Sequence, residues 1–177
     1  MSRPAQGCVT IADMSKSTVT DSPTAQSSAP EFTQLLRQLF EEHIVFNRVM
    51  GLKISHIGAD RVSARIDMKP ELIGHFVHGR MHGGVISACL DALGGLACMA
   101  ALGARHMDEP ALQCLQRFEN LATIDLRIDY LRPAVSTHFE LHAQVLRLGS
   151  RVGNTRMEFH AASGLLVATG AGAYIVS

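Results

Sequence analysis

Aromatic side chains are scarce in this sequence of 177 residues, which has no tryptophan, 2 tyrosines and 7 phenylalanines. So few rings offer little surface on which an aryl group could stack. A charge excess is also missing, because 16 lysines and arginines balance 16 aspartates and glutamates. A neutral chain generates no long-range field toward a polyanion, so the composition favours neither nucleic acid nor an anionic membrane as a partner.

Cysteine patterns that build metal sites or disulfide frameworks are absent as well. The 4 cysteines include no Cys-x-x-Cys pair, and the 9 histidines include no His-Glu-x-x-His, so neither zinc-binding spacing occurs. Cys89 and Cys98 would lie on opposite faces of one helix, where they cannot bond to each other. These features predict a cytoplasmic protein with reduced thiols.

The N-terminal stretch differs in composition from the rest of the chain. Residues 1–30 are rich in serine, threonine, alanine and glutamine, and we predict a disordered tail because such a segment has little apolar surface to bury. Its short apolar run at residues 8–12 is too short and too polar for a secretory leader. The remaining length suits a single domain over residues 31–177, and 47% hydrophobic residues suffice for a core.

One long apolar stretch dominates the predicted domain. Between Gly83 and Ala104 the only charged side chain is Asp91. A helix that is apolar on every face is a buried helix, and a carboxylate is rarely buried without a partner or a function. The run is long enough for a membrane span, but its glycines and central aspartate favour the core helix of a soluble domain. We therefore expect no membrane among the partners.

Strand patterns flank this helix on both sides. An amphipathic helix from Phe32 to Met50 precedes a predicted hairpin over residues 52–68, a loop over residues 70–81 and then the central helix. The connection over residues 104–120 contains a predicted short helix. Four strand-like runs follow, at residues 122–131, 138–148, 153–161 and 165–176. This order predicts an α+β fold in which one curved antiparallel sheet wraps around the long helix.

The start of the central helix has the features of an anion site. The backbone N–H groups of Gly83 and Gly84 lack acceptors within a helix that begins there, and the helix dipole adds partial positive charge. Glycine also lets a substrate carbonyl approach the backbone closely, so these amides could stabilise an oxyanion. The alternative is a tight loop-to-helix turn that merely requires glycine.

Small residues surround Asp91 and leave room beside its carboxylate. On a helical wheel the neighbours on its side are Gly84, Ser87, Ala88, Gly94, Gly95 and Cys98. A narrow channel on this side would admit a thin, extended chain. Close packing of the helix on the sheet, with Asp91 capping a backbone group, is the alternative, but it gives no reason for a carboxylate in mid-helix.

These motifs together resemble the signature of hotdog-fold acyl-CoA thioesterases, in particular the phenylacetyl-CoA-thioesterase-like branch. The shared features are His82-Gly83-Gly84, Asp91 nine residues after the histidine, and the segment Thr123–Ala134. The resemblance implies a hotdog fold and a homodimer, or a dimer of dimers, with active sites in the interface. It also implies hydrolysis of an acyl-CoA to free acid and CoA without a metal or other cofactor.

The family pattern assigns roles to individual residues. Asp91 would act as general base or as nucleophile, Thr123 would position the attacking water, and the Gly83 amide of the partner subunit would bind the oxyanion. Many relatives have an asparagine shortly before the glycine pair that orients the substrate, whereas this sequence has Phe76 there. Other substrate contacts are expected from His75, His78, His82 and Gly84, and contacts to the CoA phosphates from Arg147 and Arg151, with Arg80 and Arg117 as further candidates.

Helix geometry agrees with a site built from two subunits. Gly83 and Asp91 lie about 12 Å apart along one helix, so a single thioester carbon cannot touch both within one subunit. The scarcity of aromatic residues favours an aliphatic acyl chain of short to medium length. Two alternatives are a non-catalytic acyl-CoA sensor and a hotdog enoyl-CoA hydratase, but no aspartate here has the histidine five residues later that the hydratase motif requires.

Overall fold

The N-terminal part of the domain is helical but consists of three pieces. The computed structural model describes residues 29–177, so the tail predicted for residues 1–30 lies almost wholly outside the described residues. Helix α1 is Ala29–Gln38, a π-helical turn follows at Leu39–His43, and a short helix α2 is Val45–Met50. These pieces cover the length of the single helix that the apolar spacing predicted.

The interruption lies at Ile44, whose backbone is extended (φ −76°, ψ 95°), so the prediction of one continuous helix is wrong at this residue. The carboxylate of Glu41 accepts hydrogen bonds from the backbone N–H of Ile54 (2.8 Å) and from Lys53 (3.0 Å). These bonds attach the π-helical turn to the next strand. Gly51, in the left-handed region with a φ of 82°, ends α2, as glycine commonly does.

Six of the eight strands in the described residues form one antiparallel sheet. The strands are β1 Lys53–Ile57, β2 Arg61–Asp67, β3 Ile73–His75, β4 Arg80–Met81, β5 Ala122–Tyr130, β6 His138–Leu148, β7 Val152–Ala161 and β8 Leu166–Ile175. The spatial order in the large sheet is β1-β2-β6-β7-β8-β5, and β3 pairs only with β4. The predicted hairpin and the four predicted C-terminal strands are confirmed. Buried and more exposed residues alternate in β2, β7 and the first half of β6, as expected of half-buried strands.

The central helix α3, Gly83–Gly103, packs against the sheet, mainly on β6 and β7. Leu90, Leu93 and Leu96 are fully buried in this core, as are Phe139 and Phe159 of the sheet. By length and composition alone α3 could cross a membrane, but most of its surface is covered by the sheet and the N-terminal helices. The predicted α+β arrangement, a curved antiparallel sheet wrapped around a long helix, is confirmed.

The two predicted connections contain short regular elements. The segment predicted as a loop over residues 70–81 holds 3₁₀ turns at Pro70–Leu72 and Phe76–His78 beside the β3–β4 pair. The second connection contains helix α4, Ala111–Gln116, which confirms the short helix predicted there. The first of these segments matters for the site, because it leads directly into the N-terminus of α3.

Two adjacent glycines in α3 have different surroundings. A Cβ at Gly94 would overlap the phenol of Tyr174 and lie 2.6 Å from the sulfur of Met157. The side chain of Tyr174, on β8, therefore crosses α3 at the point where Gly94 has no Cβ. A Cβ at Gly95 would meet Leu121 at 3.4 Å, which is an ordinary contact. Gly94 is therefore required by packing, whereas Gly95 is not.

We expect Gly94→Ala to lower the free energy of unfolding by about 1–3 kcal/mol, because overpacking forces Tyr174 to move. The matched variant Gly95→Ala should leave stability unchanged or raise it by up to about 1 kcal/mol, since alanine is the better helix former. Urea denaturation of the two variants and the parent measures the difference. Equal stabilities of the two variants would contradict the assignment of Tyr174 to this position.

Candidate active site

The first turn of α3 leaves one backbone N–H group without an acceptor. His82 is the N-cap, and its Nδ1 accepts from the N–H of Gly84 at 2.8 Å. The carbonyl of His82 accepts from the N–H groups of Val85 (3.0 Å) and Ile86 (3.4 Å). Within residues 29–177 the Gly83 N–H donates to no protein acceptor. This free donor lies at the positive end of the helix dipole and can therefore bind an anion.

Neighbouring elements hold the Gly83 peptide in place. Tyr130 of β5 donates from its hydroxyl to the Gly83 carbonyl at 2.9 Å, and the His82 N–H donates to the Leu72 carbonyl at 2.8 Å. A Cβ at Gly84 would lie 2.9 Å from the Nδ1 of His82, so Gly84 keeps the N-cap free of steric conflict. His82 and Gly84 thus shape the turn, and their predicted contact with substrate stays a prediction.

Asp91 lies two turns further along α3 and is hydrogen-bonded to the sheet. The hydroxyl of Thr123 on β5 donates to Oδ1 of Asp91 at 2.8 Å. The hydroxyl of Tyr174 on β8 donates to the backbone carbonyl of Asp91 at 3.1 Å. Thr123 and Tyr174 are directly opposite each other in the β5–β8 ladder, so one position of the sheet fixes both the side chain and the backbone of Asp91. The sequence prediction placed Asp91 and Thr123 in one site, with Thr123 positioning the attacking water, but it did not include Tyr174.

Titration properties distinguish the groups around Asp91. Burial raises the pKa of the Tyr174 phenol above its ordinary value, and the nearby charge of Asp91 raises it further. The phenol therefore stays protonated and remains a donor. Burial also raises the pKa values of the Cys89 and Cys98 thiols to about 12. Because the thiolate is the reactive form of cysteine, neither thiol competes with Asp91 as a nucleophile.

A cleft of about 260 Å³ opens beside the Asp91 carboxylate. Its helix side consists of the small residues Ala88, Ala92 and Gly95, and Leu121, Thr123 and Tyr174 complete that side. The helical wheel predicted Ala88 and Gly95 here but not Ala92, and its other members, Gly84, Ser87, Gly94 and Cys98, do not line the cleft. The opposite wall comes from the N-terminal segment, through Phe40, Ile44, Phe46 and Asn47. The sequence analysis missed this wall, because contacts between the first helix and α3 are not local in the sequence.

Asn47 is the polar member of the N-terminal wall and is only 2% exposed. Its amide donates to the Phe40 carbonyl at 3.1 Å, and its backbone carbonyl accepts from Gly51 (2.9 Å) and Leu52 (3.0 Å). Asn47 therefore joins the π-helical turn to α2 across the break at Ile44. An asparagine within an amphipathic helical pattern is the one sequence signal that could have drawn attention to this segment.

Glu41 fixes the same wall to the sheet from the other side. Burial would raise the pKa of its carboxyl, but the hydrogen bonds from the Ile54 N–H and from Lys53, together with the charge of Arg37, lower it overall. The carboxylate stays ionised at neutral pH and keeps the π-helical turn on β1. The segment that carries the apolar wall of the cleft is thus attached to the sheet.

Several predicted binding residues lie outside this cleft. His75 ends β3 and His78 ends the exposed 3₁₀ turn that follows it, with their rings stacked 5.0 Å apart. Arg147 and Arg151 flank the exposed β6–β7 turn. Arg117 pairs with Glu109, Nε to Oε2, at 2.8 Å. Their roles toward CoA stay predictions, and within one chain none of them borders the Asp91 carboxylate.

The architecture and the site define a class of protein. A curved sheet around a central helix, with a free amide at the helix N-terminus and a hydroxyl-bonded carboxylate in mid-helix, is the arrangement expected of a hotdog-fold thioester hydrolase. The family model of the thioesterase superfamily matches residues 78–168. The chain belongs to the thioesterase superfamily, and it is a thioester hydrolase.

Individual relatives agree with the family. The medium/long-chain acyl-CoA thioesterase YigI of Escherichia coli (strain K12) is 31% identical over 153 residues, which are 86% of this chain and 99% of that protein. A crystal structure of a protein from Shewanella oneidensis related to the thioesterase superfamily has 39% identity and a TM-score of 0.78, covering 85% of this chain and 100% of that one. The thioesterase HI1161 of Haemophilus influenzae, at 21% identity and a TM-score of 0.63 over 80% of this chain and 87% of that one, shares the fold.

The free amide of Gly83 can be removed with little change to the fold. We expect Gly83→Pro to fold normally, because proline suits the first helical position. His82, at φ −66° and ψ 134°, already has the backbone conformation favoured before proline. Thioester hydrolysis should fall by about 10²–10³-fold, as for the loss of one oxyanion donor.

The control is Gly83→Ala, which keeps the N–H and places a Cβ 3.4 Å from the ring of Tyr130. Its rate of hydrolysis should stay much closer to that of the parent. Melting temperatures establish that both variants fold. Full activity of Gly83→Pro, or an equal loss in both variants, would exclude a role for the amide.

Proposed function

We propose that this protein hydrolyses a medium-chain aliphatic acyl-CoA to the free acid and CoA. The observation that carries the proposal is the Asp91 carboxylate, hydrogen-bonded to Thr123 at 2.8 Å and bordering an apolar cleft. A carboxylate in this setting can accept a proton from water or attack a carbonyl itself. Similarity to the medium/long-chain acyl-CoA thioesterases YigI supports acyl-CoA as the substrate class.

The proposed reaction begins at the thioester carbonyl. A water oxygen attacks the carbonyl carbon while Asp91 accepts the water proton. The hydroxyl of Thr123, which the sequence led us to expect on the water, donates to the Asp91 carboxylate and orients it. Collapse of the tetrahedral intermediate breaks the C–S bond, and the proton passes to the departing thiolate, which gives CoA and the free acid. If Asp91 attacks the carbonyl carbon directly, the C–S bond breaks as a mixed anhydride forms, and CoA departs as the thiolate. Water then hydrolyses the anhydride, which releases the free acid, restores the Asp91 carboxylate and supplies the proton that the thiolate takes up.

Oxyanion stabilisation in this proposal requires a second subunit. The Gly83 amide is about 12 Å from Asp91 along α3, so the amide must come from the partner. Strand β5, which carries Thr123, supports this arrangement because it is an edge of the sheet and exposes Ile124 at 53%. Unpaired edges bind further strands readily. We infer a homodimer with two sites, each combining Asp91 and Thr123 of one subunit with Gly83 of the other.

The acyl chain occupies the cleft beside Asp91 in this proposal. Phe40, Ile44 and Phe46 on one wall and the alanines of α3 on the other offer apolar contact along its length. An alkyl chain gains free energy in proportion to the area it removes from water. The finite volume of this cleft, about 260 Å³, favours a medium chain, at the upper end of the range expected from the sequence.

The proposal predicts the behaviour of Asp91→Asn. This variant should fold and dimerise like the parent, with an equal or higher melting temperature, because an uncharged amide is easier to bury. Hydrolysis should fall by about 10²–10⁴-fold, since the base or nucleophile is lost. Release of free thiol from acetyl-, butyryl-, octanoyl-, decanoyl- and palmitoyl-CoA measures both the rate and the preferred chain length.

Binding of a non-hydrolysable acyl-CoA thioether is the control, and its Kd should change little in Asp91→Asn. A parent protein that binds the thioether but releases no thiol from any substrate would instead be a non-catalytic acyl-CoA-binding protein. Near-parental turnover of Asp91→Asn would exclude Asp91 as the catalytic carboxylate.

A further inference from the structure

Phe76 is unusual among the large hydrophobic residues of the described chain. It is 88% exposed, and its neighbour Val77 is 64% exposed, although water is a poor environment for both side chains. Both lie in the 3₁₀ turn that precedes α3. The catalytic arrangement within one chain does not use either of them.

The position of this turn relative to Gly83 is fixed. A Cβ at Gly74 would lie 2.7 Å from the Cα of His82, so the backbone of β3 touches the residue immediately before Gly83. The β3–β4 pair and the bond from the His82 N–H to the Leu72 carbonyl (2.8 Å) hold the two segments together. Phe76 is two residues beyond Gly74 and hence no more than about 7 Å further along the chain.

A dimer that brings Gly83 to the Asp91 of the other subunit therefore brings Phe76 with it. The receiving cleft already exposes an aromatic side chain, Phe46, at 60%, and its other lining residues are mostly apolar. We propose that Phe76 of the partner subunit forms part of the acyl-binding wall of this cleft, with Phe46 of the same subunit as Asp91. This contact would set the preference for longer acyl chains. The inference rests on the proposed function.

The chemistry of the side chain favours the acyl part of the substrate over the pantetheine arm. Phe76 and Val77 have no hydrogen-bonding groups, whereas the pantetheine arm has amides that need polar partners when water is excluded. An alkyl chain needs only apolar surface. The cleft of the subunit that carries Asp91 is also apolar, since Phe40, Ile44 and Phe46 form one of its walls.

The first test is the chain-length profile of Phe76→Ala. The ratio of kcat/KM for decanoyl-CoA to that for butyryl-CoA should fall by about tenfold, the usual effect of losing one apolar contact in a pocket. Phe76→Leu should give an intermediate ratio. The control Leu146→Ala removes another highly exposed hydrophobic side chain (62%) on the outer face of the sheet, and it should leave the ratio unchanged.

A mixed dimer tests whether Phe76 acts across the interface. Subunits carrying different affinity tags are co-expressed, and one of them is Asp91→Asn, so that only the other subunit's Asp91 is active. Phe76→Ala on the subunit with the active Asp91 should leave the parental ratio, because the live site uses the intact Phe76 of its partner. Phe76→Ala on the Asp91→Asn subunit should give the altered ratio.

Phe46→Ala in the same mixed dimer should show the opposite dependence, since Phe46 lines the cleft of its own subunit. An unchanged ratio in the Phe76→Ala homodimer, or an effect that follows the active Asp91 within one subunit, would overturn the inference. Loss of the dimer mass by Phe76→Ala in light scattering would make Phe76 a subunit contact and would also overturn it. A parent that hydrolyses no acyl-CoA would refute the proposed function itself, and this result is distinct from all of these.

Discussion

The fixed rise of an α-helix separates the two chemical groups of the proposed site. Gly83 and Asp91 are both on α3, about 12 Å apart along its axis, and α3 packs against the sheet, mainly on β6 and β7. The helix cannot bend to bring them together without opening the core. A single chain therefore cannot place both the Gly83 amide and the Asp91 carboxylate at one thioester. The proposed homodimer follows from this separation.

The same packing positions Asp91 with respect to the sheet. Tyr174 crosses α3 at Gly94 and donates to the Asp91 carbonyl, while the residue opposite it on β5, Thr123, donates to the carboxylate. The pair Thr123 and Tyr174 thus contributes both to the packing of α3 on the sheet and to the position of Asp91. On the other side, Glu41 and Asn47 fix the N-terminal segment whose apolar residues complete the cleft.

Much of the fold could be predicted from the sequence because the relevant signals are local. Alternating apolar residues mark the strands, and the apolar run from Gly83 marks the central helix. The order of these elements leaves few topologies. The break at Ile44 could not be predicted in this way, because the apolar spacing continues across it. The bonds that the nearby Glu41 carboxylate accepts come from Ile54 and Lys53, which follow later in the chain.

The candidate site likewise contains residues that could be predicted from the sequence and residues that could not. The glycine amides at the start of the central helix and the single carboxylate of its apolar run can be read from the sequence, and the resemblance to hotdog thioesterases added Thr123. Tyr174 and the N-terminal wall of the cleft were not, since they reach Asp91 only through tertiary packing.

The central claim, that Asp91 and Gly83 of different subunits form one active site, is tested most directly by complementation. Subunits of Asp91→Asn and of Gly83→Pro are co-expressed with different tags, and the mixed dimer is purified and assayed for thiol release from decanoyl-CoA. If the groups act across the interface, one site contains both defects and the other contains neither. The mixed dimer should then recover about half of the parental activity per dimer, although each homodimer is nearly inactive. A mixed dimer as inactive as the two homodimers would show that Asp91 and Gly83 act within one subunit and would contradict the account.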